Sequence, residues 1–245
     1  MSGLIVFLPA YNEEASIASL LGKITRVLQS NGSGRVVVVD DGSTDGTAAL
    51  VGQFADRGVE LIRHSPNQGL PAAMRTGLTH VVRTARPGDV LVTMDADDTH
   101  DPALIPSMVE RIERGADVVI ASRFRRGARV LGLSLPRRLY SIVASWLFRL
   151  RFRMPGVRDY TSGYRAYRVE TLGAAMRHWG EGFITATDFS CMGEILLKLR
   201  AVRPQAAEVP LVLRYDKKLS TSKLDVRRTI VSSLGLLWRR EAAPQ

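Results

Sequence analysis

The sequence predicts an α/β protein, a single domain with a mostly parallel central sheet flanked by helices. Three observations carry this. Short runs of Val, Ile and Leu recur through the first half, and they are continuous rather than alternating, as strands buried on both faces require. Each run ends in a loop of Asp, Asn or Gly and is followed by a helical pattern, which is the signature of repeated strand–helix units. The 245 residues are 45% hydrophobic and 24% charged with mean hydropathy near zero, which suits a globular chain long enough to bury one full core.

Taken in order, Leu4–Leu8 is the first strand, Pro9 to Glu14 its loop, and a helix runs to about Gln29. The four-valine run Val36–Val39 is the second strand. It ends in Asp40-Asp41-Gly42-Ser43-Thr44-Asp45-Gly46-Thr47, and a helix follows to about Gly58. Val59–Arg63 is the third strand, with Asn67-Gln68-Gly69 leading into a helix to about Thr84. Val90–Met94 is the fourth, ending in Asp95-Ala96-Asp97-Asp98, and Asp117–Ala121 is the fifth. Beyond residue 122 arginine-rich segments flank an amphipathic stretch from Pro136 to Arg153. A Gly/Tyr-rich loop, a helix near Phe189–Arg200 and a strand near Ala207–Arg214 then follow, and this second half is expected to close over the sheet edge.

Several classes are excluded. The lone Cys191 permits no intramolecular disulfide framework and no multi-cysteine metal site, and it reads as helix packing. The start has no basic segment before its apolar run, and Pro9 cuts that run short, so no signal peptide is expected. The longest uncharged apolar stretch, Leu139–Phe148, is ten residues, where a membrane-spanning helix needs roughly 20. The expectation is a cytoplasmic protein whose membrane contact, on the inner face, is peripheral. No Gly-x-Gly-x-x-Gly follows the first strand and no Walker A motif is present, which disfavours a nicotinamide enzyme or a P-loop nucleotidase.

Charge is the outlying quantity. Lys and Arg number 34 against 24 Asp and Glu, for a net +10 and a pI of about 10.3, so an anionic partner is expected. The excess is uneven: residues 1–122 carry net −5, residues 123–168 net +11 and residues 169–245 net +4. A nucleic-acid partner is disfavoured by the acidic Asp95–Asp101 loop.

Ligands of open parallel sheets bind beyond the carboxyl ends of the strands. Those ends hold Tyr11-Asn12-Glu13, Asp40-Asp41 and Asp95-Ala96-Asp97, acidic loops that repel one another unless a cation joins them. Mg²⁺ or Mn²⁺ is the natural candidate, since it uses one or two protein carboxylates and takes its remaining oxygens from phosphates. Ser43 and Asp45 read as helix caps. Asp98, His100 and Asp101 are expected on the solvated side of their loop, and Trp146 and Trp179 as core or interface anchors.

Together, Leu8-Pro9-Ala10-Tyr11-Asn12-Glu13-Glu14, Val38 to Thr47, Asn67-Gln68-Gly69 and Met94-Asp95-Ala96-Asp97 resemble the inverting family 2 glycosyltransferases, whose GT-A fold is Rossmann-like. Ala121-Ser122-Arg123-Phe124, Thr161 to Arg168 and Ser222-Lys223-Leu224 resemble the polyprenyl/dolichyl-phosphate mannose synthase branch. The resemblance runs from about residue 4 to 230. It implies a nucleotide-sugar donor half over residues 1–122 and an acceptor half with amphipathic helices over 123–245, within one domain.

The resemblance also implies roles. Pro9, Tyr11, Glu13, Asp40, Asp41 and Asp95 would hold the donor nucleotide, and Asp95 and Asp97 the Mg²⁺ or Mn²⁺. A further metal ligand in the branch falls on Thr99, a weaker donor. Arg123, Arg137 or Arg138, Ser162, Arg165, Lys217 and Lys223 would surround a polyprenyl-phosphate acceptor. Asp97 and Arg123 would act in catalysis, joined by Asp188 as general base if the acceptor is instead a hydroxyl of a glycan or secondary metabolite. Gly182 to Asp188 departs from the branch pattern, so both acceptors stay open. The donor type is likewise open between GDP-mannose and UDP-glucose. From Pro136 to Arg153, Tyr140, Trp146, Phe148 and Phe152 lie between arginine-bearing ends, which suits an interfacial helix on anionic lipid and equally a core helix with solvated basic ends.

Overall fold

The computed structural model describes residues 3–32, 34–132 and 135–217. Nine strands and seven helices follow one another over these residues: β1 (Leu4–Ala10), α1 (Glu14–Ser30), β2 (Gly34–Asp40), α2 (Thr47–Gly52), β3 (Val59–Arg63), α3 (Leu70–Thr84), β4 (Val90–Thr93), α4 (Ile105–Glu113), β5 (Val118–Ser122), β6 (Arg129–Leu131), α5 (Leu135–Phe152), β7 (Arg165–Arg168), α6 (Val169–Trp179), α7 (Cys191–Lys198), β8 (Ala206–Pro210) and β9 (Val212–Arg214). The central sheet has the order β3-β2-β1-β4-β7-β5-β8. Every pairing in it is parallel except those of β7, which runs antiparallel between β4 and β5.

Alternate residues of each strand feed opposite layers, as the period of two demands. Ile5 and Phe7 of β1 join Ala73, Met74, Leu78 and Val81 of α3, with Phe148 and Phe152 of α5 and Ile195 and Leu196 of α7 in the same core. Leu4, Val6 and Leu8 join Ile17, Leu20, Leu21 and Ile24 of α1 and Ile105, Met108 and Ile112 of α4. The result is a helix–sheet–helix sandwich. Gly77 sets the approach of α3, because a Cβ there would lie 2.2 Å from the Phe7 ring. Pro71 begins that helix at a position whose N–H has no helical partner in any case.

One expectation is corrected. The second half does not merely cover the sheet edge: β7 inserts into the middle of the sheet, and only β8 lies at its rim. The antiparallel sense of β7 matters for the site. It brings residues 159–164, which precede the strand, to the same end as the loops that follow β1, β2, β4 and β5. A second small sheet, β6 with β9, brackets that end. Its β9 strand is bound to the loop after β4 through Arg214 N–H to the Thr99 carbonyl and a bridge between His100 and Leu213.

Candidate active site

The sheet order reverses between β1 and β4, and the loops that leave their carboxyl ends flank the resulting crevice. Behind β1, the chain at Pro9 to Glu14 is stitched to the loop after β2. Asn12 N–H donates to Ser43 Oγ, Glu13 N–H to Thr47 Oγ1 and Glu14 N–H to Asp45, while Thr44 N–H returns to Asn12 Oδ1 and Gly46 N–H to Glu14. The loop after β2 is thus tied to the start of α1: Asp45 accepts from the first amides of α1 and α2, Glu14 and Thr47, whereas Ser43, expected as a helix cap, holds the Asn12 amide ahead of α1. Partial burial pushes the Asp45 carboxyl upward, but hydrogen bonds from Thr47 and from the Glu14 amide hold it below its usual value. Asn12 pays for its place with a left-handed φ of 51°.

Glu13 is buried at the start of α1 and accepts from Ser16 Oγ, which also donates to the Ala96 carbonyl. This fastens the loop after β4 to the first helix. Within that loop Asp97 is buried and its Oδ1 accepts from both the amide (3.2 Å) and the hydroxyl (2.7 Å) of Thr99. Thr99 thus orients the Asp97 carboxylate. Asp95 is half-buried; a Cβ on Gly163 would sit 3.5 Å from its Oδ1.

Opposite lies the Asp159 cluster. Asp159 is completely buried and accepts from Arg123 through its backbone N–H (3.0 Å), Nε (2.8 Å) and Nη2 (2.6 Å), and from the amides of Thr161 and Ser162. Burial pushes the Asp159 carboxyl upward, yet the Arg123 charge and these bonds hold it below the ordinary carboxylate value. Burial likewise lowers the Arg123 pKa, and Asp159, with Tyr215 and Asp95 nearby, more than restores it. Arg123 is therefore a fixed cation whose neighbours include the first carboxylate of the Asp-Ala-Asp loop.

A family model, Glycosyl transferase family 2, matches residues 5–174. The chain belongs to glycosyl transferase family 2. Relatives of this glycosyltransferase include the polyprenol monophosphomannose synthase of Mycolicibacterium smegmatis, 36% identical over 69% of this chain and 62% of the relative. The dolichol-phosphate mannosyltransferase of Pyrococcus furiosus is 32% identical over 79% of this chain and 52% of its own length. The undecaprenyl-phosphate mannosyltransferase of Micrococcus luteus is 31% identical over 90% and 87%. The chain spans 62% and 52% of the first two. Among solved structures, glucosyl-3-phosphoglycerate synthase from Mycobacterium tuberculosis with Mn²⁺ and UDP-glucose superposes at TM-score 0.67 and 22% identity, covering 96% of this chain and 79% of that one. The same enzyme with Mg²⁺ and UDP gives 0.65, again at 22% identity, over 96% and 79%. These structural neighbours share the GT-A fold and hold a divalent cation beside UDP.

The donor set of the glycosyltransferase fits such a cation. Among the described residues no three His, Cys, Asp or Glu side chains gather as a metal cage. Two carboxylates on one loop, Asp95 and Asp97, are what Mg²⁺ or Mn²⁺ uses when a diphosphate completes its shell.

Other expected site residues fall differently. Asp41 is fully engaged: Oδ1 takes His64 Nδ1 (2.7 Å) and the Gln68 amide, and Oδ2 takes Asn67 Nδ2 and the Gly69 amide (2.7 Å). It builds the loop from His64 to Gly69 instead of presenting its oxygens to a nucleotide. Asp40 is enclosed, with Ser43 N–H and Arg63 Nε on its two oxygens. Pro9 and Tyr11 are half-buried at the crevice wall. Arg165 is corrected outright, because its position in β7 turns it into the core. There it is wholly buried and donates to the carbonyls of Met192 (2.7 Å) and Tyr160 (2.9 Å), so it cannot meet an acceptor phosphate.

Ser162 is buried beside Asp159, its Oγ without a hydrogen-bond partner. Asp188 Oδ1 accepts from Ser190 N–H where the chain turns into α7. The side chains of Arg137, Arg138 and Lys217, and Lys223 altogether, lie outside the described residues. His100 is buried rather than solvated, stacked on Tyr164. Asp98 pairs with Lys23 of α1, and Asp101 caps the turn at Pro102–Leu104.

Two acids went unnoticed in the sequence. Asp159 is the lone acidic residue among the twelve arginines of residues 123–168, and that isolation was its available signal. Glu194 is buried in α7 and accepts from the amides of Thr185 and Ala186, fixing the segment that carries Asp188. Its apolar helical surroundings gave no sign of this.

Proposed function

We propose that this family 2 glycosyltransferase moves a hexose from a nucleotide sugar to a polyprenyl phosphate, with inversion and with dependence on Mg²⁺ or Mn²⁺. The observation that carries the proposal is Arg123, a guanidinium held by Asp159 just beyond β5, at the same end of the sheet from which the Asp95 loop leaves β4. A fixed cation stands where an anionic acceptor would approach the donor. The names of the three relatives, each a polyprenyl- or dolichyl-type mannosyl enzyme, support the same acceptor and make a mannosyl donor the first to test.

The donor would lie across Pro9, Tyr11 and Glu13, its diphosphate toward Asp95 and Asp97. When bound, the metal neutralises charge on the departing diphosphate. A phosphate oxygen of the acceptor forms the new bond to the anomeric carbon as the bond to the diphosphate breaks, and the nucleoside diphosphate leaves with that electron pair. An acceptor already anionic has no proton to lose, so no general base is needed. Arg123 and Ser162 would bind it, while Asp188 serves the start of α7.

The lipid acceptor explains α5. Leu139, Ile142, Val143, Trp146 and Leu150 recur at helical spacing and are exposed, while Ser145, Phe148 and Phe152 on the other side are buried. Arg149, Arg151 and Arg153 are exposed at its end. We assign this face to peripheral contact with an anionic membrane surface. No helix among the described residues is long and apolar enough to cross a membrane.

The test is Asp188→Asn assayed for mannosyl transfer to undecaprenyl phosphate. Turnover within about threefold of wild type is expected. General-base catalysis contributes about 10²–10⁴-fold, so a loss of that size in a variant that melts as wild type does would overturn the base-free reading.

A further inference from the structure

His100 lies three residues beyond Asp97, and no role in the proposed reaction requires it. Its surroundings are unusually ordered. The Asp95 backbone N–H donates to His100 Nδ1 at 3.2 Å. A ring nitrogen that accepts a hydrogen bond carries no hydrogen, so the imidazole hydrogen sits on Nε2. Nε2 in turn faces Asp95 Oδ2 at 3.9 Å. The ring lies against Tyr164 with centroids 5.0 Å apart and planes 29° from parallel, and the Tyr164 hydroxyl donates to the Asp101 carbonyl. Burial, with the Asp101 charge beside it, pushes the Tyr164 phenol well above its usual pKa, so it stays a donor. The His100 backbone is bridged to Leu213, and Gly163, the residue before Tyr164, lies beside the Asp95 carboxylate.

We propose that His100 is a positioning residue for Asp95. One face of its ring is fixed by Tyr164, its Nδ1 closes the loop on the Asp95 amide, and its Nε2–H aims at the Asp95 carboxylate. That hydrogen limits the rotamers open to the carboxylate. The separation of 3.9 Å is too long for a hydrogen bond, so the pull on the carboxylate is electrostatic. Carboxylates that ligate metals are themselves held by outer partners, and losing one typically costs about 10–100-fold in metal affinity. The inference rests on the proposed metal role of Asp95 and Asp97.

The test measures Mn²⁺ affinity of the full chain from the paramagnetic resonance signal of the free ion, with GDP and separately with UDP present. His100→Asn keeps an acceptor near the Nδ1 position, so the loop closure survives, but it has nothing at Nε2. His100→Phe keeps the stack and loses both nitrogens. Each is expected to weaken Mn²⁺ binding about 10–100-fold, with the metal-free melting temperature of His100→Asn within a few degrees of wild type. If both variants bind Mn²⁺ within twofold of wild type while Asp97→Ala does not bind it, His100 is only a packing residue and the proposal is wrong. If Asp97→Ala binds Mn²⁺ as wild type does, the metal assignment itself has failed, and the inference falls with it.

Discussion

Asp159 shows how a buried charge organises the turn that leads into β7. Its oxygens hold the Arg123 guanidinium and the turn amides of Thr161 and Ser162, so losing it would leave a cation with little solvent and no carboxylate bound to it. Removing one member of such a buried pair costs about 3–5 kcal/mol, and Asp159→Asn is expected to lower the unfolding free energy by that order in denaturant titrations. The pH dependence follows from the sign of the shift. The folded carboxyl titrates below the unfolded value of about 3.9, so its contribution is full above that pH. It is lost as pH falls through the lower, folded value. Acid unfolding of wild type should therefore contain a component below about pH 4 that is missing in Asp159→Asn. At the same scale, Asp41 and Arg165 show why a motif residue need not touch a ligand: the first is spent on a loop and the second on two carbonyls.

Among the elements, α3 and α5 make opposite demands. α3 is pressed onto β1, and Gly77→Ala would drive a methyl into the buried Phe7 ring. Overpacking of this kind costs about 1–3 kcal/mol, to be read as a lower melting temperature with the fold retained. α5 is only half covered. Trp146→Glu on its exposed face should leave the melting temperature within a few degrees of wild type while sharply reducing sedimentation with vesicles rich in anionic lipid. Binding by wild type should also weaken as salt rises, since the arginines at the end of α5 contribute by charge. Unchanged vesicle binding by Trp146→Glu would remove the membrane assignment. β7 is the third element that matters, because its reversed direction carries Asp159 to Tyr164 to the donor end of the sheet.

Over the whole molecule, the uneven charge of the sequence acquires a location. The net −5 of residues 1–122 includes the carboxylates that rim the donor crevice, and the net +11 of residues 123–168 belongs to segments leading into and out of α5. The parallel sheet, its first strands and the acidic loops at their ends were legible, because continuous valine runs and Asp-rich turns are local signals. The insertion of β7 was not, since Arg165 to Arg168 is four residues with two charges and its place depends on pairing with distant strands. For the same reason Asp97 could be read from its loop, whereas the burial of Arg165, the Asp159–Arg123 lock and the His100 stack depend on contacts between segments far apart in sequence. In the proposed reaction a lipid phosphate, and not a hydroxyl, receives the sugar. The most direct measurement supplies labelled GDP-mannose and Mn²⁺ with vesicles containing either undecaprenyl phosphate or undecaprenol, and follows label into the lipid phase. Labelled lipid from the phosphate alone is predicted; equal labelling of the alcohol, or labelling of neither lipid while a glycan hydroxyl is mannosylated, would contradict the account.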